Sequence, residues 1–145
     1  MPNTVLLRGD PIASEGTVAT AVITPGMAVT PAGDSVVRSA ANAVAPGFAR
    51  ENELVGKGID DDYAVGDRIL YYTPRKGDWF YAWLGTSQEI AAGALLSTGA
   101  NGVLVAADPG DPEATPPEFA TPVVARALEA VTTTGEIARI KVEVV

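Results

Sequence analysis

Glycine and proline recur along this whole chain, 15 and 11 times in 145 residues, and leave little uninterrupted length in which a helix can run. Each Gly or Pro marks a turn or an element boundary. The segments between them are rich in branched side chains: Val and Ile together number 24, against 11 for Leu and Met. Two heavy atoms on Cβ stiffen χ1 and suit a pleated strand better than a helix. The expectation is a mainly β fold, a compact β-barrel or β-sandwich-like single domain of short strands and hairpins. At 145 residues and 47% hydrophobic content a core can be buried without disulfides or metal.

Reading along the chain, residues 1–16 lack a strand pair of their own and are expected to form an extended N-terminal arm, with the β-rich domain occupying 17–145. Thr17–Ile23 reads as a first strand that stops at Pro25-Gly26, a type II turn signal. Met27 to Ala40 reads as a hairpin turning around 31–34, with Val29 and Val36 on its arms. The spacing Ile23, Gly26, Val29, Gly33, Val36 is echoed by Ile90, Gly93, Leu96, Gly99, Val103, and Ala64 to Ile69 repeats the Gly-x-x-apolar element. One building style is thus used three times. The stretch Phe48 to Tyr63, with five acids and two bases, reads as a connection with at most a turn of helix.

Arg68–Thr73 and Trp79–Leu84 are aromatic-rich runs joined through 74–78, and they read as a central hairpin. Aromatics on both strand faces imply burial on both sides, by the core on one and by another subunit on the other. Residues 108–118 hold four prolines and four acids and read as a stiff exposed loop. Val123–Thr132 fits either a strand or a helix. Ile140, Val142 and Val144 alternate with Arg139, Lys141 and Glu143, the pattern of a strand with one buried face, and 133–135 would be the turn before it.

Charge and missing residue types bound the function. Eighteen acidic and ten basic residues give a net charge of −8, which disfavours nucleic acid and anionic lipid as partners. With neither His nor Cys, the chain has no Ser-His-Asp triad, Cys-His pair, thiolate zinc site or disulfide. No signal-like leader and no apolar run of membrane-spanning length is evident, so a protein made in the cytoplasm is expected.

Several constellations invite a chemical reading, each with a plainer one beside it. Asp60-Asp61-Asp62 offers oxygen ligands to a hard cation such as calcium, but lacks the glycine and distal Glu of an EF-hand and reads as a solvated turn. Glu51, Glu53 and Asp60 supply carboxylates for glycoside hydrolysis, yet short strands give little wall for a cleft. Arg8-Gly9-Asp10 matches an adhesion tripeptide and reads as a turn; Gly56-Lys57-Gly58 lacks full P-loop spacing. Trp79, Tyr81 and Trp83 line one face of a strand, either as a sugar-stacking platform or, preferred here, as core or subunit-interface packing. No enzyme, cofactor or metal function is expected from these residues.

The ITPGMAV hairpin at 23–29, the segment FARENELVGKGIDDDYAVGDRILYYTPRKGDWFYAWL at 48–84, the AAGALLSTGANGVLVAA hairpin at 91–107, and VARALEAV followed by ARIKVEVV together resemble the capsid decoration, or cement, proteins of tailed bacteriophages. The most specific part is ENELVGKGIDDDYAVGD at 51–67. The resemblance implies a β-rich virion protein on the outside of the head. It would bind the major capsid protein as homotrimers at three-fold and quasi-three-fold positions and stabilise the expanded shell. On that basis Val5, Leu6, Leu7 and Arg8 are candidate capsid contacts, the arm adding a strand to an exposed sheet edge. Losing the arm would then weaken binding and leave the domain folded. Trp79, Tyr81 and Trp83 are candidate trimer contacts. The alternative is a carbohydrate-binding head appendage that displays those rings to solvent.

Overall fold

The structure is a computed structural model that describes residues 2–108, 110 and 121–145. Among these residues there is no α-helix; strands and isolated bridges make up 43% of them, and short 3-10 turns occupy Glu53–Val55 and Ala100–Gly102. The first half contributes β1 (Leu6–Arg8), β2 (Ile12–Val18), β3 (Ala28–Ala32), β4 (Ser35–Arg38), β5 (Gly47–Ala49) and β6 (Arg68–Thr73). The second contributes β7 (Trp79–Leu84), β8 (Glu89–Ile90), β9 (Leu95–Thr98), β10 (Leu104–Ala106), β11 (Ala125–Ala127), β12 (Val131–Thr132) and β13 (Ala138–Val144).

The strands close into two barrels. In the first, β2-β4-β3-β5-β6 form a closed ring. In the second the order is β7-β10-β9-β11-β13, and β13 pairs back onto β7. The two are wound alike strand for strand. β2 pairs parallel with β4 and antiparallel with β6; β7 does the same with β10 and β13. The register matches too. Val18 opposes Val36 as Leu84 opposes Leu104, and Thr17 opposes Arg68 as Trp83 opposes Arg139. Ala49 opposes Tyr71 as Ala127 opposes Val142. Even the turns agree: Gly26 N–H donates to Ala49 O and Gly93 N–H to Ala127 O, both at 2.8 Å. The repeated Ile-x-x-Gly-x-x-apolar spacing marks this duplication, Ile23 and Ile90 each bridging a later segment, at Tyr63 and Val131. The third copy, Ala64 to Ile69, is not a further unit; it leads into β6, the closing strand of the first barrel.

The mainly β barrel fold expected from the sequence is therefore present, and the hairpins β3/β4 and β9/β10 lie where expected. Val123–Thr132 resolves as strand, through β11 and β12. Two details differ. The expected strand 17–23 instead spans Ile12–Val18. Its polar residues Ser14 and Glu15 and its Gly16 concealed it, although it pairs on both edges inside the first barrel; the boundary placed between 16 and 17 falls inside this strand. The aromatic runs β6 and β7 are also no hairpin: they belong to different barrels, and residues 74–78 carry the chain across. Asp78, nearly buried, fixes this crossing by accepting from Arg75 N at 2.8 Å and Asp10 N at 3.2 Å. The acidic loop at 108–118 lies, apart from Asp108 and Gly110, outside the described residues.

The hydrophobic interior falls into two clusters, the larger of which spans both units. Ile23, Val29, Val36, Ile69 and Tyr71 fill the first barrel. The larger cluster combines Leu84, Leu96, Leu104, Ile140 and Val142 of the second with Ala28, Phe48 and Tyr72 of the first. Phe48 stacks on Phe80 with ring centroids 4.8 Å apart and planes 20° from parallel. Burying a side chain of this size contributes about 2 to 3 kcal/mol.

Candidate functional site

Alternation along β7 sends Phe80, Ala82 and Leu84 into the second barrel, all fully buried, and Trp79, Tyr81 and Trp83 to its outer face. That outer face meets the first barrel. Trp83 Nε1 donates to Pro25 O at 3.0 Å, and Trp83 packs against the first barrel's core cluster. Between the barrels lies Arg139, on β13 directly across from Trp83. Its guanidinium donates to Pro25 O at 3.0 Å, to Ile59 O at 2.7 Å and to Asp60 Oδ1 at 3.2 Å. Its Cζ stands 4.2 Å from the Trp83 ring centroid and 5.5 Å from that of Tyr81. Burial lowers the Arg139 pKa, and the Asp60 carboxylate opposes that fall. A planar fork that stacks on rings while satisfying two carbonyls is a use only Arg fits.

Gly26 makes this approach possible. Its φ is +96°, and a Cβ there would meet Tyr81 O and Arg139 Nη1, both at 2.7 Å. Any larger residue would push the barrels apart. A second set of contacts lies alongside, where Gly102 N–H donates to Ser39 O and Asn42 N–H to Thr98 O.

The face of β7 read as burial against another subunit is thus largely covered within the chain. Tyr81 is 6% exposed, and Trp83 is half-buried against the first barrel. Trp79, at the far end, donates from Nε1 to Glu143 at 2.9 Å and lies under the Arg8 guanidinium. The three rings therefore form no open sugar-stacking platform.

Among the candidate capsid contacts, Val5 is fully buried in the shared core. Its N–H donates to the buried carboxylate of Glu51 at 3.1 Å, and its carbonyl accepts from Tyr81 N. Leu6 and Leu7 are half-buried and Arg8 is exposed on β1, which pairs antiparallel with β7. The first residues are thus a strand docked on this chain's own second barrel, and removing 1–16 would delete both Val5 and most of β2.

The carboxylates singled out in the sequence do not converge. Asp60 faces Arg139, Asp61 accepts from Gly58 N, and Asp62 accepts from Thr24 Oγ1 at 2.7 Å. Glu53 pairs with Arg50 at 2.7 Å, and Glu51 is engaged with Val5. No cluster of metal-ligating side chains is present among the described residues. Gly56 closes the 3-10 turn at φ +77°, the backbone role of the Gly-Lys-Gly run. A groove of about 230 Å³ opens between the barrels, lined by Val44, Pro46, Phe48, Pro74, Val123 and Val145. Its walls are mainly apolar, and Thr73 and Lys76, the polar side chains among them, make no convergent set that would orient a small reactant.

No protein-family model matches the chain, and no curated protein matches it. Among solved structures, it is similar to the N base of the head fiber gp8.5 of bacteriophage phi29. That likeness has a TM-score of 0.58 at 14% sequence identity, and covers 92% of this chain and 93% of that one. The two share a fold. Sequence reasoning missed Arg139 and Phe48 as the residues that join the barrels. The available signal for Arg139 was a basic side chain on the strand face opposite Ile140 and Val142, coupled with an aromatic face needing a partner.

Proposed function

We propose that this protein is a structural component of a tailed-bacteriophage head. It binds the major capsid protein on the outer surface of the expanded shell and stabilises it as homotrimers at three-fold and quasi-three-fold positions. The observation that carries the reading is the fold: nearly the whole chain superposes on nearly the whole N base of a phage head fiber. The resemblance of residues 51–67 to decoration proteins supports it independently. A net charge of −8 suits the outside of a head better than its DNA-filled interior, where anionic surfaces repel.

No catalytic step is needed for this role. A shell is stabilised when one additional protein bridges several subunits, so that opening the lattice must break many contacts together. Among the described residues β1 pairs with β7 alone, and its other edge, carrying Leu6, Leu7 and Arg8, is the candidate for receiving a strand of the capsid protein. The test is cosedimentation with expanded shells lacking the protein, read as bound copies per shell. Saturation near one trimer per local three-fold is the expected result; absence of binding would remove the reading.

A further inference from the structure

The duplicated barrels use one contact once and leave both of its halves open elsewhere. On the second barrel the face formed by Trp79, Tyr81, Trp83 and Arg139 is covered by the first barrel's turn at Pro25-Gly26. The register makes Ala13, Glu15, Thr17 and Arg68 the matching face of the first barrel. Among the described residues nothing covers that face as Pro25-Gly26 covers its counterpart: Ala13, Glu15 and Arg68 are exposed and Thr17 half-buried. Arg68, the counterpart of Arg139, holds Glu15 at 3.0 Å and Thr17 Oγ1 at 3.2 Å across the surface. A shallow hollow of about 210 Å³ lined by Ala13, Glu15, Arg50 and Leu70 lies on this face.

The complementary half is open on the second barrel. The turn equivalent to Pro25-Gly26 is Ala92-Gly93. Gly26 is buried and its virtual Cβ strikes Tyr81 and Arg139, whereas Gly93, with a similar φ of +88°, has nothing within 4 Å of the same position. Ala91, Ala92 and Gly93 are exposed.

We infer that a second copy of this chain occupies these surfaces: the Glu15/Thr17/Arg68 face of one copy seats on the Ala92-Gly93 turn of the next, repeating between chains the contact made within the chain. In that arrangement Arg68 reaches the Ala92 carbonyl as Arg139 reaches that of Pro25. The contact is head to tail, with different surfaces on the two partners, and not a two-fold pairing of identical patches. Small and charged side chains replace the three aromatics, so it is weaker than its internal counterpart and easier to reverse. The inference deepens the homotrimer part of the proposed function by naming the surfaces through which copies meet.

The chain has no cysteine, so single-cysteine variants are clean probes. Glu15→Cys and Ala92→Cys chains, each concentrated alone and then mixed, are treated with a short bismaleimide. Cross-linked dimers in the mixture and not in either variant alone are the expected result. Dimers in either variant alone, or none in any sample, would overturn the contact. Arg68→Ala should weaken self-association on the order of tenfold in sedimentation equilibrium, and unchanged association would also contradict it. Shell cosedimentation on the same samples separates the two readings. Mixed cross-links without shell binding would keep the contact and remove the head-surface role; shell binding without mixed cross-links would do the reverse.

Discussion

At matching outward positions the first barrel carries Ala28, Phe48 and Tyr72, and the second carries Leu95, Arg126 and Glu143. The first set is buried in the shared core. The second stays at the surface, where Arg126 and Glu143 form an ion pair at 2.6 Å. The same inversion holds for the arginines: Arg139 has a side chain 8% exposed, and Arg68 one 57% exposed. Backbone winding is common to the halves, so the difference lies in side chains that decide which outer face meets another barrel. Duplication supplies two equivalent scaffolds. Substitution then turns one pair of faces into a permanent internal seam and leaves the other pair available.

The comparison can be broken first at the rings. Phe48→Ala removes the stack on Phe80 and opens a cavity at the junction, with an expected loss of about 3 to 5 kcal/mol in urea unfolding. Its counterpart Arg126→Ala loses only an exposed pair, less than about 1 kcal/mol. Equal losses would mean that the barrels do not depend on their junction.

The arginines give a smaller contrast. Arg139→Ala removes the guanidinium donor from Ile59 O, leaves Pro25 O with the Trp83 indole as its remaining side-chain donor, and uncovers Trp83, a cost of about 2 to 4 kcal/mol. Arg68→Ala in dilute solution, where copies are apart, should cost under about 1 kcal/mol. A blue-shifted Trp83 emission that moves toward the solvent value in Arg139→Ala alone would sharpen the assignment of the seam.

The smallest effect appears in alkali. Tyr63 donates to Arg50 O at 2.7 Å within the first barrel, and burial pushes its pKa from 10.0 up to about 12. The counterpart bridge in the second barrel uses Val131, which does not titrate. Between about pH 10 and 12 the unfolded chain has released this proton and the folded chain has kept it, so stability falls as pH rises through that window. Tyr63→Phe should start slightly less stable at pH 7 and show a shallower fall in urea midpoint from pH 10 to 12. An unchanged slope would show that this hydroxyl is not the group responsible.

Much of the fold was legible because barrel strands leave local marks. The β3/β4 and β9/β10 hairpins announced themselves through turn glycines and branched arms, and β13 through strict alternation at Ile140 and Val142. The repeated spacing at Ile23 and Ile90 was visible as well, though only the pairing registers reveal it as a whole duplicated barrel. What escaped was long-range choice. Trp79, Tyr81 and Trp83 declared a face in need of cover, but one strand does not say whether the cover comes from another subunit or from Pro25 fifty-eight residues away. Val5 was hidden for a similar reason: its burial depends on Glu51 and Tyr81, both distant in sequence. Glu15 broke the apolar pattern of β2 because it lies on the open face, and Gly16, on the buried face, because Val36 fills the space a side chain there would need.

The most direct measurement is cryo-electron microscopy of expanded shells saturated with the protein. The account predicts density on the outer surface at local three-fold positions, each site holding three copies and each copy resolved as two barrels, with the Ala92-Gly93 turn of one copy against the Arg68 face of its neighbour. Bare shells, or single copies bound away from the three-fold positions, would contradict it.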